Sequence, residues 1–284
     1  MDGVIVVNKE KDYTSRDVVN LVSKYLGVKK VGHTGTLDPL ATGVLVIVLG
    51  KATKLVEYLT STEKEYIADV VLGVDTDTLD ITGTVIQDEC ILKTEEEIKD
   101  GLILGTYLQE VPKYSAVKVN GRKLYEYARN GIEVILPKKE VTIREIELLK
   151  TWEDRGQTCF QFRTVVSKGT YIRSLIRDIA SNLGTNGVMT ALKRTRQGVF
   201  TLEGANTLED IKNGKYKLIS LLNIFSEVPK VEVTEEIEKK IRNGNLIKDN
   251  YHCDQVVFTK ENHVLALYKS YLKEPGYLKP EIMF

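Results

Sequence analysis

Cysteine and histidine are scarce: three of each occur in 284 residues, beside six prolines and a single tryptophan. Cys90, Cys159 and Cys253 are odd in number, far apart and in no C-x-x-C pair, so neither a disulfide framework nor a cysteine metal cage is indicated. Three histidines argue equally against a histidine metal site. Long apolar runs are missing too. The longest aliphatic stretch, Val44–Leu49, has six residues, where a membrane span needs about twenty. Met1-Asp2-Gly3 lacks the basic start and long apolar stretch of a signal peptide, so the chain is expected in the cytoplasm with no membrane contact. Neither sign of charge is in excess, since 40 basic and 40 acidic residues cancel. What is present, 42% hydrophobic and 28% charged residues, belongs to an ordinary soluble protein with one large domain or a large domain plus a small one.

The charges are unevenly spread. Residues 61–100 hold 3 Lys/Arg against 12 Asp/Glu, whereas 161–200 hold 7 against 1. Residues 113–150 carry 9 Lys/Arg against 5 Asp/Glu, with Tyr114, Tyr125 and Tyr127 interleaved. That composition suits a surface that holds phosphates while aromatic faces meet bases. A solvated face whose charge merely fluctuates is the bland alternative.

The apolar pattern predicts mixed α and β structure. Val4–Asn8 reads as a strand, and Thr14-Ser15-Arg16-Asp17 has capping-box spacing before a helix with Val18, Val22 and Leu26 on one face and Gly27 as its stop. Gly32–Gly43 reads as a loop, Val44–Leu49 as a buried strand, Thr53–Leu59 as a short helix and Tyr66–Leu72 as a further strand. Thr94–Glu97 repeats the helix-start spacing. Glu140–Trp152 and Thr158–Val166 are β-rich runs separated by Glu153-Asp154-Arg155-Gly156, a hairpin turn. A helix over Thr170–Leu183 then places Arg173 in its first turn. An apolar, helix-like run at Leu218–Phe225 precedes a boundary near Ser226–Lys230, leaving a small β-rich tail with strands at Val256–Phe258 and Val264–Tyr268.

One segment stands out for chemistry: Gly32-His33-Thr34-Gly35-Thr36-Leu37-Asp38-Pro39-Leu40-Ala41-Thr42-Gly43. Small residues permit close backbone approach to a ligand, and Pro39 stiffens the turn that carries the lone carboxylate of Asp38. Such a carboxylate can serve as nucleophile or base; Asp-Pro also simply starts turns, and spacing alone favours that reading. No Gly-Lys-Ser/Thr ends the loop, so a phosphate-binding P-loop is not indicated.

The same segment, continued through Val44-Leu45, closely resembles the catalytic motif of the TruB-type tRNA pseudouridine-55 synthases. Further stretches resemble that family in the same order: Lys64-Glu65-Tyr66, Gly73 with Thr76-Asp77-Thr78 and Asp80, Tyr114-Ser115-Ala116-Val117-Lys118, Gly121 with Tyr125, Lys168–Leu175 and Ala191–Thr195. The resemblance spans residues 1 to about 200; the tail, with Arg242-Asn243-Gly244 and Tyr277-Leu278-Lys279-Pro280, carries weaker motifs. It implies an α+β pseudouridine synthase fold, with a central mixed, mostly antiparallel sheet flanked by helices and loops. It implies a catalytic domain over 1–229 with a tRNA-clamping insert at about 113–150, and a PUA-like RNA-binding domain over 230–284. It implies isomerisation of uridine 55 in the T loop of tRNA by a monomer that needs no cofactor, metal or obligatory protein partner. Asp38 matches the catalytic aspartate, Arg173 the arginine that pairs with it, and Tyr66 the tyrosine that stacks on the target base. His33 matches a histidine beside the RNA and Leu192 an apolar pocket residue, while Lys118, Arg122 and Lys123 are assigned to phosphate contacts. The chain departs from the family's Lys-Pro-x-Gly-x-Thr-Ser at Glu10 and Asp12, and Val111-Pro112 replaces a paired proline. An RNA-binding or tRNA-folding module with dispensable catalysis is the alternative reading. An RNA-guided relative is a third, against which the basic insert argues.

Overall fold

A computed structural model describes residues 1–284. β1 (Gly3–Lys9) leads through a turn to α1 (Ser15–Leu26), whose start is fixed by the Thr14–Asp17 capping box and whose end is fixed by Gly27 at φ 65°. A cap of this kind is worth about 0.5–2 kcal/mol. In the connecting turn Asp12 takes φ 71°, the left-handed conformation that glycine, and after it Asn and Asp, adopts most readily. The turn is closed by Lys9, whose ammonium donates to the carbonyls of Glu10, Tyr13 and Pro39 at 2.9, 2.7 and 3.2 Å.

The expected loop over Gly32–Gly43 is shorter than its glycines suggest. Val31–His33 forms β2, paired with the end of β3 (Thr42–Leu49), because Gly32 packs against Val48 instead of turning. Only residues 34–41 are irregular. A 3-10 turn at Gly50–Leu55 and α2 (Val56–Thr60) take the place of the single short helix expected there. β4 (Lys64–Leu72) follows, then the hairpin of β5 (Val74–Thr76) and β6 (Val85–Asp88), α3 (Glu95–Gly101) and β7 (Gly105–Glu110).

The basic stretch 113–150 is two structural pieces. Its first part carries the small hairpin of β8 (Lys118–Val119) and β9 (Arg122–Lys123) and the short α4 (Leu124–Arg129). From Lys138 onward it is β10 (Lys138–Asp154), a long strand of the central sheet. β10 turns into β11 (Gln157–Val166) through Arg155 and Gly156 alone, both left-handed at φ 51° and 77°. α5 (Ile172–Asn182) and β12 (Gly187–Gln197) complete the frame.

The nine-stranded central sheet runs β1-β3-β12-β4-β11-β10-β7, with β2 on β3 and β13 (Phe200–Thr201) on β12. It is antiparallel except where Lys193 and Arg194 of β12 run parallel to Thr42 and Gly43 of β3. Gly43, at φ 100°, is required there, since a Cβ would overlap the Arg194 carbonyl. Alternation sorts the core. Ile5, Val7, Leu45 and Ile47 face α1, α5 and α6 (Leu208–Lys212), while Val4, Val6, Val44 and Val46 face a second cluster on the other side.

The run Leu218–Phe225 is helical only at α7 (Leu221–Ile224), because Ile219 instead pairs with Val4 in extended backbone. β14 (Lys230–Glu232), α8 (Glu235–Arg242), β15 (Ile247–Lys248), β16 (Gln255–Lys260), β17 (His263–Ser270) and β18 (Tyr277–Met283) follow. Their five-stranded sheet, ordered β14-β16-β17-β18-β15, has its own core of Val256, Phe258, Ala266, Tyr268 and Leu278. Val257, Val264 and Leu267 on its other face join the second cluster with Val4 and Val46, so the tail packs on the main body. No helix is long and apolar enough to cross a membrane.

Candidate active site

Residues 34–41 leave β2 and return to β3 under tight control. Ser15 at the start of α1 accepts a hydrogen bond from the Leu37 N–H at 2.8 Å and donates to the Leu37 carbonyl at 3.1 Å. Arg194 donates to the Gly35 carbonyl at 3.0 Å and the Val44 carbonyl at 2.7 Å, and Gln197 donates to Thr34 Oγ1 at 2.6 Å. Lys9 holds Pro39 from below. Lys9 and Arg194 are fully buried, and Lys64 nearly so. Burial pushes the ammonium groups of Lys9 and Lys64 down to about 8, for Lys9 against the opposing pull of Asp12 and Asp38. Lys9 and Arg194 thus grip the loop's backbone through carbonyl oxygens instead of counter-ions, while Lys64 donates to the Thr60 and Thr62 carbonyls.

Asp38 projects from this anchored loop toward the first turn of α5. Arg173 Nε lies 3.0 Å from Asp38 Oδ2, and Arg173 Nη2 donates to Oδ1 at 3.3 Å. The guanidinium has further partners. Nη2 donates to the Tyr114 carbonyl at 3.0 Å, Nη1 to the Thr78 carbonyl at 2.8 Å, and Nη1 lies 3.7 Å from Asp80 Oδ2. Asp80 is itself held by the Thr82 N–H and Thr78 hydroxyl, both at 3.0 Å. The arginine side chain is 8% exposed and Asp80 9%, whereas Asp38 keeps 35%, so one side of its carboxylate remains open. α5 has no side-chain cap of its own. Gln109 of β7 supplies one from outside, accepting from the Tyr171 N–H at 2.8 Å and donating to its carbonyl at 3.2 Å.

The open side of Asp38 faces a cavity of about 340 Å³, whose walls include Tyr66, Tyr114, Ser115, Tyr125, Tyr171, Arg173 and Leu192. That size is within the range of small-ligand pockets. A larger groove of about 650 Å³ beside α4, lined by Asp77, Lys113, Leu124 and Ile132, shares Tyr114 but holds no ion pair. Of the two, only the smaller holds a buried cation that directs a carboxylate.

The structure therefore brings Asp38, Tyr66, Arg173 and Leu192 together. His33 stands apart, half-buried at the end of β2 and outside the cavity wall, with its Nδ1 accepting from the Gly35 N–H at 3.4 Å. Burial, with Arg16 and Arg194 nearby, lowers its pKa below the usual histidine value, which favours the neutral ring. Lys118, Arg122 and Lys123 lie on the β8–β9 hairpin, away from the cavity, with Lys118 and Arg122 exposed. Lys123 stacks 5.3 Å above the Tyr125 ring, which Arg129 also approaches at 5.4 Å, so Tyr125 joins the hairpin to the cavity. Asp80, Tyr114, Ser115 and Tyr171 are site residues that sequence reasoning does not single out. All four sit in the family-like stretches, and nothing in their spacing says that they converge. No group of three or more His, Cys, Asp or Glu side chains is arranged to hold a metal ion.

Known proteins share this chain's pattern. The family model "TruB family pseudouridylate synthase (N terminal domain)" matches residues 23–172, and "tRNA pseudouridylate synthase B C-terminal domain" matches residues 173–220. The chain is 42% identical over 301 aligned positions to tRNA pseudouridine synthase B of Geobacillus thermodenitrificans, with all of both chains covered. It is also 42% identical to that of Bacillus cytotoxicus, over 99% of this chain and 96% of the relative. Among solved structures it resembles a chain of an H/ACA RNP bound to a substrate RNA containing 2′-deoxyuridine, with TM-score 0.70 and 25% identity. It resembles a chain of a Cbf5-Nop10-Gar1 complex with TM-score 0.70 and 26% identity. Each of these alignments covers 99% of this chain and 84% of the other.

Proposed function

Because this chain belongs to the TruB family of pseudouridylate synthases, we propose that it isomerises uridine 55 in the T loop of tRNA, with Asp38 as the reacting carboxylate. A tRNA pseudouridine synthase is what its 42%-identical relatives are, along the whole chain. The observation that supports Asp38 is its two-point pairing with a buried arginine beside an open cavity. Arg173 fixes the direction of the carboxylate and offsets its negative charge where little water enters. At the same time it leaves Asp38 accessible to a nucleotide.

The reaction breaks the bond between N1 of uracil and C1′ of ribose, turns the base, and joins C5 to the same carbon. C5 loses a proton and N1 ends with one, so atoms and electrons balance within the substrate and water. The Asp38 carboxylate serves either of two routes, attack on C1′ or removal of a sugar proton to give a glycal. A T-loop uridine must first leave its stack, at a cost of a few kcal/mol that stacking and phosphate contacts offset. Tyr66 supplies the stacking face and a group near the C5 proton; Leu192 closes the apolar side of the pocket. His33, outside the cavity, meets the RNA that the flipped nucleotide has left. Lys118, Arg122 and Lys123 hold phosphates from the hairpin.

Residues 1–229 act as the catalytic domain and 230–284 as a PUA-like RNA-binding appendage. The enzyme works as a single chain, without a guide RNA. Full-length identity of 42% to an enzyme named tRNA pseudouridine synthase B, against 25–26% to chains of an H/ACA RNP and of a Cbf5-Nop10-Gar1 complex, favours this over the RNA-guided reading. The test is release of a C5 hydrogen label from uridine in a T-loop transcript with purified protein and no added cofactor. Retention of the label by active-site-intact protein would refute the proposal.

A further inference from the structure

Among the residues that line the Asp38 cavity, only Ser115 has a side-chain polar atom that is both buried and without a hydrogen-bond partner. The residue is 6% exposed. Several polar neighbours in the wall bond elsewhere: Tyr114 donates to Asp77 at 3.1 Å, Tyr125 accepts from Lys123 at 3.3 Å, and Thr170 donates to the Ser167 carbonyl at 2.9 Å. The Ser115 hydroxyl lies near enough to the Tyr171 phenol to bear on its acidity, but the two do not meet hydrogen-bond geometry.

The backbone that carries Ser115 is held in place. Its carbonyl accepts from the Tyr125 N–H at 3.2 Å, and the preceding carbonyl, of Tyr114, is fixed by Arg173 at 3.0 Å. The backbone on both sides is therefore locked to the insert helix and to the Asp38–Arg173 pair. The chain's other unpaired buried atom, Gln197 Oε1, lies near Gly35 behind the catalytic loop and not on the cavity wall. A buried hydroxyl left unpaired destabilises the free protein, and groups of this kind persist where a ligand completes them.

We propose that Ser115 is a substrate-contact residue whose hydroxyl is satisfied only when a uridine occupies the cavity, by a polar atom of that nucleotide. A hydroxyl both donates and accepts, so it can complete either a carbonyl or an N–H or O–H of the nucleoside. The inference rests on the reading of this cavity as the uridine site.

Such a contact leaves a signature that a structural serine cannot: removing it helps or spares the free protein and harms the reaction. Ser115→Ala should leave the thermal midpoint equal to or above that of the parent, while kcat/KM on a T-loop transcript falls about 5- to 30-fold, the factor set by one hydrogen bond in a closed site. Ser115→Thr, which keeps the hydroxyl, should recover more activity than Ser115→Ala. A lower thermal midpoint for Ser115→Ala, or a kcat/KM equal to the parent's, would overturn the inference. A parent protein that forms no pseudouridine would instead defeat the functional reading itself.

Discussion

Replacing Arg173 by lysine keeps the charge and removes the fork, which makes it the sharpest probe of the site. The guanidinium serves Asp38 twice, the carbonyls of Thr78 and Tyr114 once each, and Asp80 at longer range. An ammonium has three donors at one point and cannot span acceptors that approach from three segments. If it follows Asp38, the Thr78 and Tyr114 carbonyls lose their donor and Asp80, 9% exposed, loses its cation. Each buried group left unpaired costs about 1–3 kcal/mol; with partial relaxation we expect a total of about 2–4 kcal/mol, or roughly 5–15 °C in thermal midpoint for a chain of this size. We discount the Asp38 contribution, since that carboxylate is 35% exposed and partly screened. Catalysis should suffer more, because a carboxylate free to rotate misses the ribose: a loss of about 10²–10³ in kcat, equivalent to about 2.7–4 kcal/mol in the barrier. Single-turnover pseudouridine formation and calorimetry on the same preparation measure both. A lysine variant with kcat within threefold of the parent would show that the fork does not position Asp38.

Asp38→Asn should abolish pseudouridine formation while tRNA binding stays within a few-fold, as read by filter binding; turnover near the parent's would remove Asp38 from the mechanism. Reversing Lys118, Arg122 and Lys123 together to glutamate should weaken tRNA binding and make its dependence on salt shallower, and an unchanged slope would remove the hairpin from the RNA interface. Lys9 and Lys64 titrate near 8 in the folded protein against an ordinary value of 10.5. Between those values the unfolded chain binds more protons, so their contribution to stability rises with pH from about 8 toward 10. Above about 10 the raised pKa of the half-buried Tyr107 phenol acts in the opposite sense, because the folded state then holds its proton longer. Urea midpoints across this range should show the rise, and Lys64→Met should reduce it; a pH-independent difference between parent and variant would contradict the burial argument.

Some elements are legible in the sequence and others are concealed, for identifiable reasons. The capping box at Thr14, the Gly27 stop and the β10–β11 hairpin are readable because local chemistry alone decides them. β12 is not, since Lys193, Arg194 and Arg196 disguise a central strand whose Arg194 is fully buried on carbonyl oxygens. The β8–β9 hairpin has a visible signal in Asn120-Gly121, both left-handed at φ 50° and 82°, yet the basic composition around it draws attention to charge instead. Leu218–Phe225 looks helical from its apolar content, but the open edge of β1 claims Ile219. In the site, residue types and the family-like motif point to Asp38, Tyr66 and Arg173 individually. That the carbonyls of Thr78 and Tyr114 meet the same guanidinium is a product of topology, since they lie 95 and 59 residues from Arg173 in sequence.

A single planar cation thus ties together the Asp38 loop, the 78–80 turn and the Tyr114 segment that leads into the β8–β9 hairpin. Anyone wishing to retarget this scaffold by exchanging its insert for another would be editing the machinery at one remove. A graft that shifted the peptide plane at position 114 would unseat the arginine before any new RNA contact was tested, so loop exchange should begin beyond Ser115 and leave the junction as it stands.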